Sequence, residues 1–322
     1  MVHAVADPGR GGGQSRIDGQ GVGPDVAPRV GPDSGLDGVP DVGPGGGLDG
    51  DRFDVWTAPA HLEALRRSHR QLAGWSAGVD HLLVQATSPR PGERVLDLAS
   101  GTGLPALTMA SLVGPSGTVV ALDRSSDLLR IAAEEAARLE LANLQVQVAD
   151  AHDLPWPDGS FDLVTCRYGV SWFDDPRTAL EEARRVLRPG GRVGFVVNGS
   201  PNQPMLNAFH GTVRRSLGLR WPELDQPSPA RHSRAGTLRD DLRAAGFSDV
   251  RERSERVEAC WSGSGAQVWH LAATRLEPEL AGLTLERRRS LGRTVVASLE
   301  RRRRGTVLHL PIHVHLATAT NA

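Results

Sequence analysis

Apolar residues recur at helical spacing early in the chain, first as Leu62, Leu65, His69, Leu72 and Trp75, then as Val79, Leu82, Leu83 and Ala86. Steps of three and four residues put each set on one face of a helix, so the pattern predicts one or two helices between residues 54 and 88. Pro89-Arg90-Pro91-Gly92 breaks that pattern and hands over to Arg94-Val95-Leu96-Asp97-Leu98, a short apolar run bounded by turn residues, as buried parallel strands are. Strands and helices then alternate at the spacing of βαβ units. The expected order is helix 105–112, strand 118–122, helix 126–139, strand 146–149, strand 161–166, helix 177–187 and strand 192–197. Pro105 suits the first turn of its helix, where a missing N–H is no loss. Gly114-Pro115-Ser116-Gly117 and Arg188-Pro189-Gly190-Gly191 mark reversals from helix to strand.

Beyond residue 198 the alternation loosens. A helix over 238–245 ends on Gly246, residues 247–257 alternate like an exposed strand, helices are predicted over 267–280 and 285–300, and a last strand over 306–316. Residues 1–52 are rich in Gly, Pro and Asp without aromatic residues or apolar periodicity, so a disordered tail is expected there. The pattern thus predicts an α/β domain over 53–322. Cap helices fill 53–88, a doubly wound core 90–200, further helices and a strand 201–304, and the final strand 305–322.

Composition narrows the chemistry. A net charge of −1 gives no standing attraction to phosphate backbones or anionic membranes, so neither a nucleic-acid nor a membrane partner is indicated. No apolar run approaches the roughly 18 residues that span a bilayer, and no basic start precedes an apolar stretch at the N-terminus. Cys166 and Cys260 lack C-x-x-C spacing, which fits a reducing cytoplasm better than a disulfide framework or a zinc site. All 37 basic residues other than histidine are arginine. Lysine chemistry, including Schiff bases and the P-loop lysine, is therefore excluded.

The glycine loop after the first predicted strand carries most of the functional signal. Gly101-Thr102-Gly103-Leu104-Pro105-Ala106 satisfies the dinucleotide pattern G-x-G-x-x-[GA], with Asp123 about 20 residues further on. Taken alone, it fits a nicotinamide cofactor, a methyl donor, or a tight turn that binds nothing. Asp97, at the end of the strand, tilts the choice. A carboxylate there repels a pyrophosphate, whereas the sulfonium and amino groups of S-adenosyl-L-methionine are cationic. Glycines at 101 and 103 let the backbone pass close beneath a ligand, and the next helix offers N–H groups to its carboxylate end.

Five segments in order extend this reading. Residues 95–103 (Val-Leu-Asp-Leu-Ala-Ser-Gly-Thr-Gly), 119–123 (Val-Val-Ala-Leu-Asp), 149–156 (Ala-Asp-Ala-His-Asp-Leu-Pro-Trp), 157–164 (Pro-Asp-Gly-Ser-Phe-Asp-Leu-Val) and 185–192 (Arg-Val-Leu-Arg-Pro-Gly-Gly-Arg) resemble the successive motifs of class I S-adenosylmethionine-dependent methyltransferases. They are most similar to the branch of ubiquinone and menaquinone biosynthesis methyltransferases. The resemblance implies a mostly parallel seven-stranded sheet with helices on both faces, its last two strands an antiparallel pair at one edge. It also implies a site: Asp97 with Ala99, Ser100, Gly101 and Gly103 around the methionine part, Asp123 and the adjacent Arg124 at the ribose, Asp150 and the Ala151 backbone at the adenine with His152 beside them, and Arg167 bordering the transfer centre. Ala99 stands where the family usually has glycine, and Ser100 where cysteine or threonine-like residues are common; both are small.

Methyl transfer is an in-line displacement at an activated methyl, so positioning and desolvation can suffice and a base is needed only for a poor nucleophile. His152 and His210 are the candidate bases, with ordinary packing roles as the competing reading. His309, His313 and His315 alternate on the predicted last strand, and a solvent-facing strand is expected in preference to a metal site. Arg301 to Arg304 read as a solvated helix end. Trp56, Trp75, Trp172, Trp221, Trp261 and Trp269 are split between core packing and an aromatic acceptor pocket. The expected function is transfer of a methyl group to a small-molecule acceptor, a specialised metabolite or a quinone-like compound, by a monomer or homodimer. A nicotinamide-dependent oxidoreductase and a non-catalytic cofactor-binding scaffold are the alternatives.

Overall fold

In the computed structural model, residues 54–200, 203, 210–220 and 227–322 are described. The stretch expected to be a tail and Trp221 lie outside them. A short helix α1 (Asp54–Thr57) leads into α2 (Pro59–Thr87), one 29-residue helix where the apolar pattern allowed two. The two apolar runs merge because Gly78 does not break the helix but packs it: a Cβ there would lie 2.4 Å from a Val257 methyl.

Seven strands form the main sheet: β1 (Arg94–Leu98), β2 (Thr118–Asp123), β3 (Leu144–Val148), β4 (Phe161–Arg167), β5 (Leu187–Asn198), β6 (Ser248–Val257) and, last in the chain, β10 (Ile312–Thr320). Their order is β3-β2-β1-β4-β5-β10-β6, with all pairings parallel up to β5 and β10 antiparallel to both neighbours. This is the expected sheet, with β10 and β6 as the antiparallel pair at the edge. Alternation along the strands divides the core between two faces. Leu96, Leu98, Val120 and Leu122 pack with α5 (Pro176–Val186) on one side, joined by Leu238 and Leu242 of α7 (Thr237–Ala244). Val95, Val119 and Ala121 pack on the other with α2, α3 (Ala106–Val113) and Leu129 of α4 (Ser126–Arg138). A short helix α6 (Thr212–Leu217) precedes α7.

The second half departs from the pattern in three places. The helix expected over 267–280 is two, α8 (Gly265–Arg275) and α9 (Glu277–Leu280), with Pro278 opening the second. The last strand is also divided. β9 (Val307–His309) joins β7 (Cys260–Ser262) and β8 (Arg303–Arg304) in a separate three-stranded sheet, and β10 begins after Pro311. His309 therefore does not share a strand with His313 and His315. Nor is His315 solvent-facing: it is buried, its ring nitrogens 2.8 Å from Ser254 Oγ and 3.1 Å from the Ser233 carbonyl. Helix α10 (Leu285–Glu300) ends before the arginine run, and Arg303 is no solvated helix end. It holds Glu300 and the carbonyls of Gly263 and Thr306. Among the described residues no helix is long and apolar enough to cross a membrane.

Candidate functional site

The loop leaving β1 turns in the left-handed region three times, at Ala99 (φ 50°), Gly101 (φ 56°) and Gly103 (φ 89°). Gly103 is needed twice over, because a Cβ there would also sit 2.9 Å from Ala132 on α4. At Gly101 an added Cβ would meet nothing within 4 Å, so this residue borders open space. The loop is pinned from below and above: Ser100 N–H donates to the Leu122 carbonyl at 2.8 Å, and His69 Nε2 on α2 is 3.0 Å from the Thr102 carbonyl.

Three carboxylates stand at successive carboxyl ends of neighbouring strands. Asp97, on β1, is fully buried; its Oδ1 accepts from Thr165 Oγ1 at 2.7 Å, and its Oδ2 has no hydrogen-bond partner. Burial pushes its pKa up to about 6, against the opposing pull of the Thr165 hydroxyl and of Arg167. Asp123 ends β2 and is raised by burial, partly offset by backbone donors: Gly101 N–H at 2.9 Å on Oδ2 and Ser125 N–H at 3.0 Å on Oδ1. Asp150, just past β3, behaves oppositely. Burial, which would raise it, is outweighed by the His152 backbone N–H (2.9 Å), the His152 ring (2.5 Å) and Arg124 (3.8 Å), and its pKa is held below the ordinary range.

An isolated carboxylate oxygen buried at a sheet end is costly, and a cationic ligand group is the natural complement. Residues 96–195 match the family model described as a methyltransferase domain. A demethylmenaquinone methyltransferase of Clavibacter sepedonicus is 33% identical over 196 residues, 56% of this chain and 77% of that protein. The chain belongs to the methyltransferase family. A 2-phytyl-1,4-naphtoquinone methyltransferase of Synechococcus elongatus is 40% identical over 129 residues, covering 40% of this chain but only 55% of that relative's length. Among solved structures, phosphoethanolamine N-methyltransferase 2 of Haemonchus contortus, in complex with phosphomonomethylethanolamine and S-adenosylhomocysteine, superposes with a TM-score of 0.52. It is 18% identical over 85% of this chain and 61% of that one, a likeness of fold.

The residues predicted for cofactor binding gather at the carboxyl ends of the parallel strands. Ala99, Ser100, Gly101 and Gly103 form the loop after β1, with Asp97 on β1, Asp123 and Arg124 at the end of β2 and Asp150 just past β3. The Ala151 side chain is buried in the core below. Arg167 closes the β4 side, donating to the Leu104 carbonyl at 3.0 and 3.2 Å and facing Asp80 of α2 at 3.4 Å. His152 has both ring nitrogens engaged, Nδ1 by Asp150 and Nε2 by the Asp175 backbone N–H at 3.4 Å, and its ring meets Phe173 edge-on. His210 stands apart from this group. Burial, then Arg275 and Arg214, push its pKa down to about 3, so its imidazole is neutral at physiological pH.

Several residues that shape the site were not singled out by sequence. Thr165 and Asp80 hold Asp97 and Arg167, and Gly169 lets the turn after β4 cross the loop, since a Cβ there would lie 2.4 Å from that of Ala99. Asp80 left a trace in the Ser76/Asp80 spacing of one helical turn, and Ser76 does donate to it at 2.7 Å. Thr165 left none. Of the tryptophans, Trp261 is buried in the core against Trp75, and Trp56 of α1 meets Trp172, in the turn after β4, edge to face.

Proposed function

We propose that this chain binds S-adenosyl-L-methionine in the crevice beyond Asp97, Asp123 and Asp150 and transfers its methyl group to a small-molecule acceptor. The observation that carries the reading is the buried, unpartnered Oδ2 of Asp97 beside an open glycine turn. That oxygen suits an ammonium group, which offers three donors and a full positive charge. Asp123, which accepts from the backbone N–H groups of Ser125, Gly101 and Arg124, keeps a lone pair with which to accept from a ribose hydroxyl. Asp150, held ionised by His152 and Arg124, suits an adenine amino group. Bound here, the donor would supply a methyl group already activated by its sulfonium. The residues of the chain then orient, desolvate and exclude water, which serves an in-line displacement without an obligatory base.

His152 supports this arrangement as a positioning residue for Asp150, while His210, apart from the group and with its pKa held down to about 3, is too weak a base to take a proton from the acceptor, in keeping with a transfer that needs no base. The names of the relatives favour a quinone-like acceptor. The spacing of Cys166 and Cys260 supports a reducing cytoplasm and the net charge of −1 a protein without a nucleic-acid partner; a monomer or homodimer is the assembly we infer. The oxidoreductase alternative finds no support among the relatives.

Calorimetric titration of the full chain with S-adenosylhomocysteine and with NAD tests the reading. Saturable binding of the first, abolished by Asp123→Ala, is expected. Tight NAD binding with no response to S-adenosylhomocysteine would refute it. Incubating the chain with metabolite extracts and a methyl-labelled donor, followed by mass spectrometry of labelled products, identifies the acceptor and excludes a non-catalytic scaffold.

A further inference from the structure

One group of side chains above the donor cradle has no part in that account. Trp56 and Trp172 meet edge to face, with ring centroids 5.6 Å apart and planes at 86°. The Arg275 guanidinium lies 3.6 Å from the Trp56 centroid and 5.7 Å from that of Trp172. His61 stands edge-on to Trp56 at 5.9 Å, with Nδ1 2.8 Å from Thr274 Oγ1 and a buried Nε2 that has no hydrogen-bond partner.

Topology places this group over the crevice. Trp56 packs with Leu128 and Ile131 of α4, the helix that leaves β2. Trp172 ends the turn Gly169–Trp172 that leaves β4, and β1 lies between β2 and β4. The tryptophan pair therefore bridges the carboxyl end of β1, where the glycine loop and Asp97 sit.

Arg275 is an unusual cation in this setting. Indole faces attract a guanidinium but give its five N–H donors nothing to bond. Its Nε is buried without a partner, and the carboxylate that acts on it, Glu279, is paired with Arg214 at 3.2 Å. Burial lowers its pKa only to about 10, so it stays charged at neutral pH. Burial and Arg275 together hold His61 near 3, leaving a neutral imidazole beside the cation. A half-buried guanidinium whose Nε has no acceptor is unfavourable until an anion arrives.

We propose that Arg275, stacked on Trp56 and flanked by Trp172 and His61, is the receptor for an ionised oxygen of the methyl acceptor. The acceptor class is then a planar acidic molecule, an enol, phenol or carboxylic acid docked as its anion against the indole rings. The proposal rests on the methyl-transfer reading for the identity of the crevice, but anion recognition is measurable without turnover.

The full chain is titrated calorimetrically near neutral pH with 4-hydroxycoumarin (an ionised enol), coumarin-3-carboxylate, the neutral 4-methoxycoumarin and inorganic phosphate. Wild type is expected to prefer an organic anion over the neutral ether by on the order of tenfold or more. Arg275→Gln should lose that preference, and Arg275→Lys should keep part of it, because charge remains but the planar fork is gone. Which organic anion binds tighter assigns the oxygen to an enol or a carboxyl group. Equal affinity for the ether and the anions, no binding of any probe, phosphate binding as tightly as the organic anions, or a preference that survives Arg275→Gln each overturns the proposal. If Arg275→Gln fails to fold, the wild-type comparison decides alone. S-adenosylhomocysteine is titrated in the same samples: its failure to bind while the anion preference holds removes the methyl-transfer reading and leaves the receptor standing.

Discussion

Thr165 and Asp97 pair directly across β4 and β1, and the Thr165 hydroxyl donates to Asp97 Oδ1 at 2.7 Å. The bond fixes one carboxylate oxygen and leaves the other buried without a hydrogen-bond partner. Thr165→Val keeps the β-branched shape and removes the donor. A hydrogen bond to a buried charged group contributes about 1.5–3 kcal/mol, so a loss of that size is expected at neutral pH, read from urea unfolding midpoints. Thr165→Ser should recover most of it, and an unchanged midpoint in Thr165→Val would contradict the role assigned to this pair.

Asp97 itself predicts an inverted pH dependence. Its folded-state pKa of about 6 lies above its ordinary value of 3.8, so between those values the native state holds more protons than the unfolded chain. Stability contributed by this residue is greatest below about pH 4 and falls as pH rises through about 6, by roughly 3 kcal/mol in all. Asp97→Asn removes that decline. Without ligand the variant should be the more stable protein at neutral pH, with the gap closing toward pH 4. Asp123, raised in the same direction, keeps part of the slope in the variant. A gap that is absent or that widens toward acid would count against the burial argument.

The two loop glycines should fail in different ways. Gly103→Ala forces a Cβ onto Ala132 in addition to backbone strain, and a destabilisation of about 2 kcal/mol or more is expected by thermal or urea unfolding. Gly101→Ala carries the strain alone, about 1 kcal/mol, because no protein atom lies within 4 Å of the new methyl. Its principal effect should be on S-adenosylhomocysteine binding. Equal unfolding losses in both variants, with binding intact in Gly101→Ala, would show that the open side of Gly101 is not the ligand side.

Ala99 holds a left-handed conformation that suits glycine better, at φ 50°. Ala99→Gly removes the steric penalty but adds freedom to the unfolded chain, for a net gain of about 0.5–1 kcal/mol. A thermal melt that shifts downward would show that the Ala99 methyl, which faces Gly169, contributes packing that outweighs the strain.

The first half of the sheet was legible because buried parallel strands write continuous apolar runs between turn residues, as in Arg94–Leu98 and Thr118–Asp123. Asp97, Asp123 and Asp150 were legible for the converse reason: a carboxylate at the end of such a run has no place in packing. What the chain did not disclose depends on partners distant in sequence. Thr165 reads as an ordinary strand residue until β4 is laid beside β1, and Arg275 as one more cation within the helix expected over 267–280 until α8 brings it to Trp56 and Trp172. Two prolines, 278 and 311, divided elements that apolar periodicity alone had joined, and β7, β8 and β9 were too short to write a pattern of their own.

The account stands most directly on where the nucleoside lies. A crystal of the chain grown with S-adenosylhomocysteine should show the amino group within hydrogen-bond distance of Asp97 Oδ2, the ribose hydroxyls on Asp123 and the adenine amino group on Asp150. Density for the ligand elsewhere, or a crevice that stays empty at saturating concentration, would contradict it.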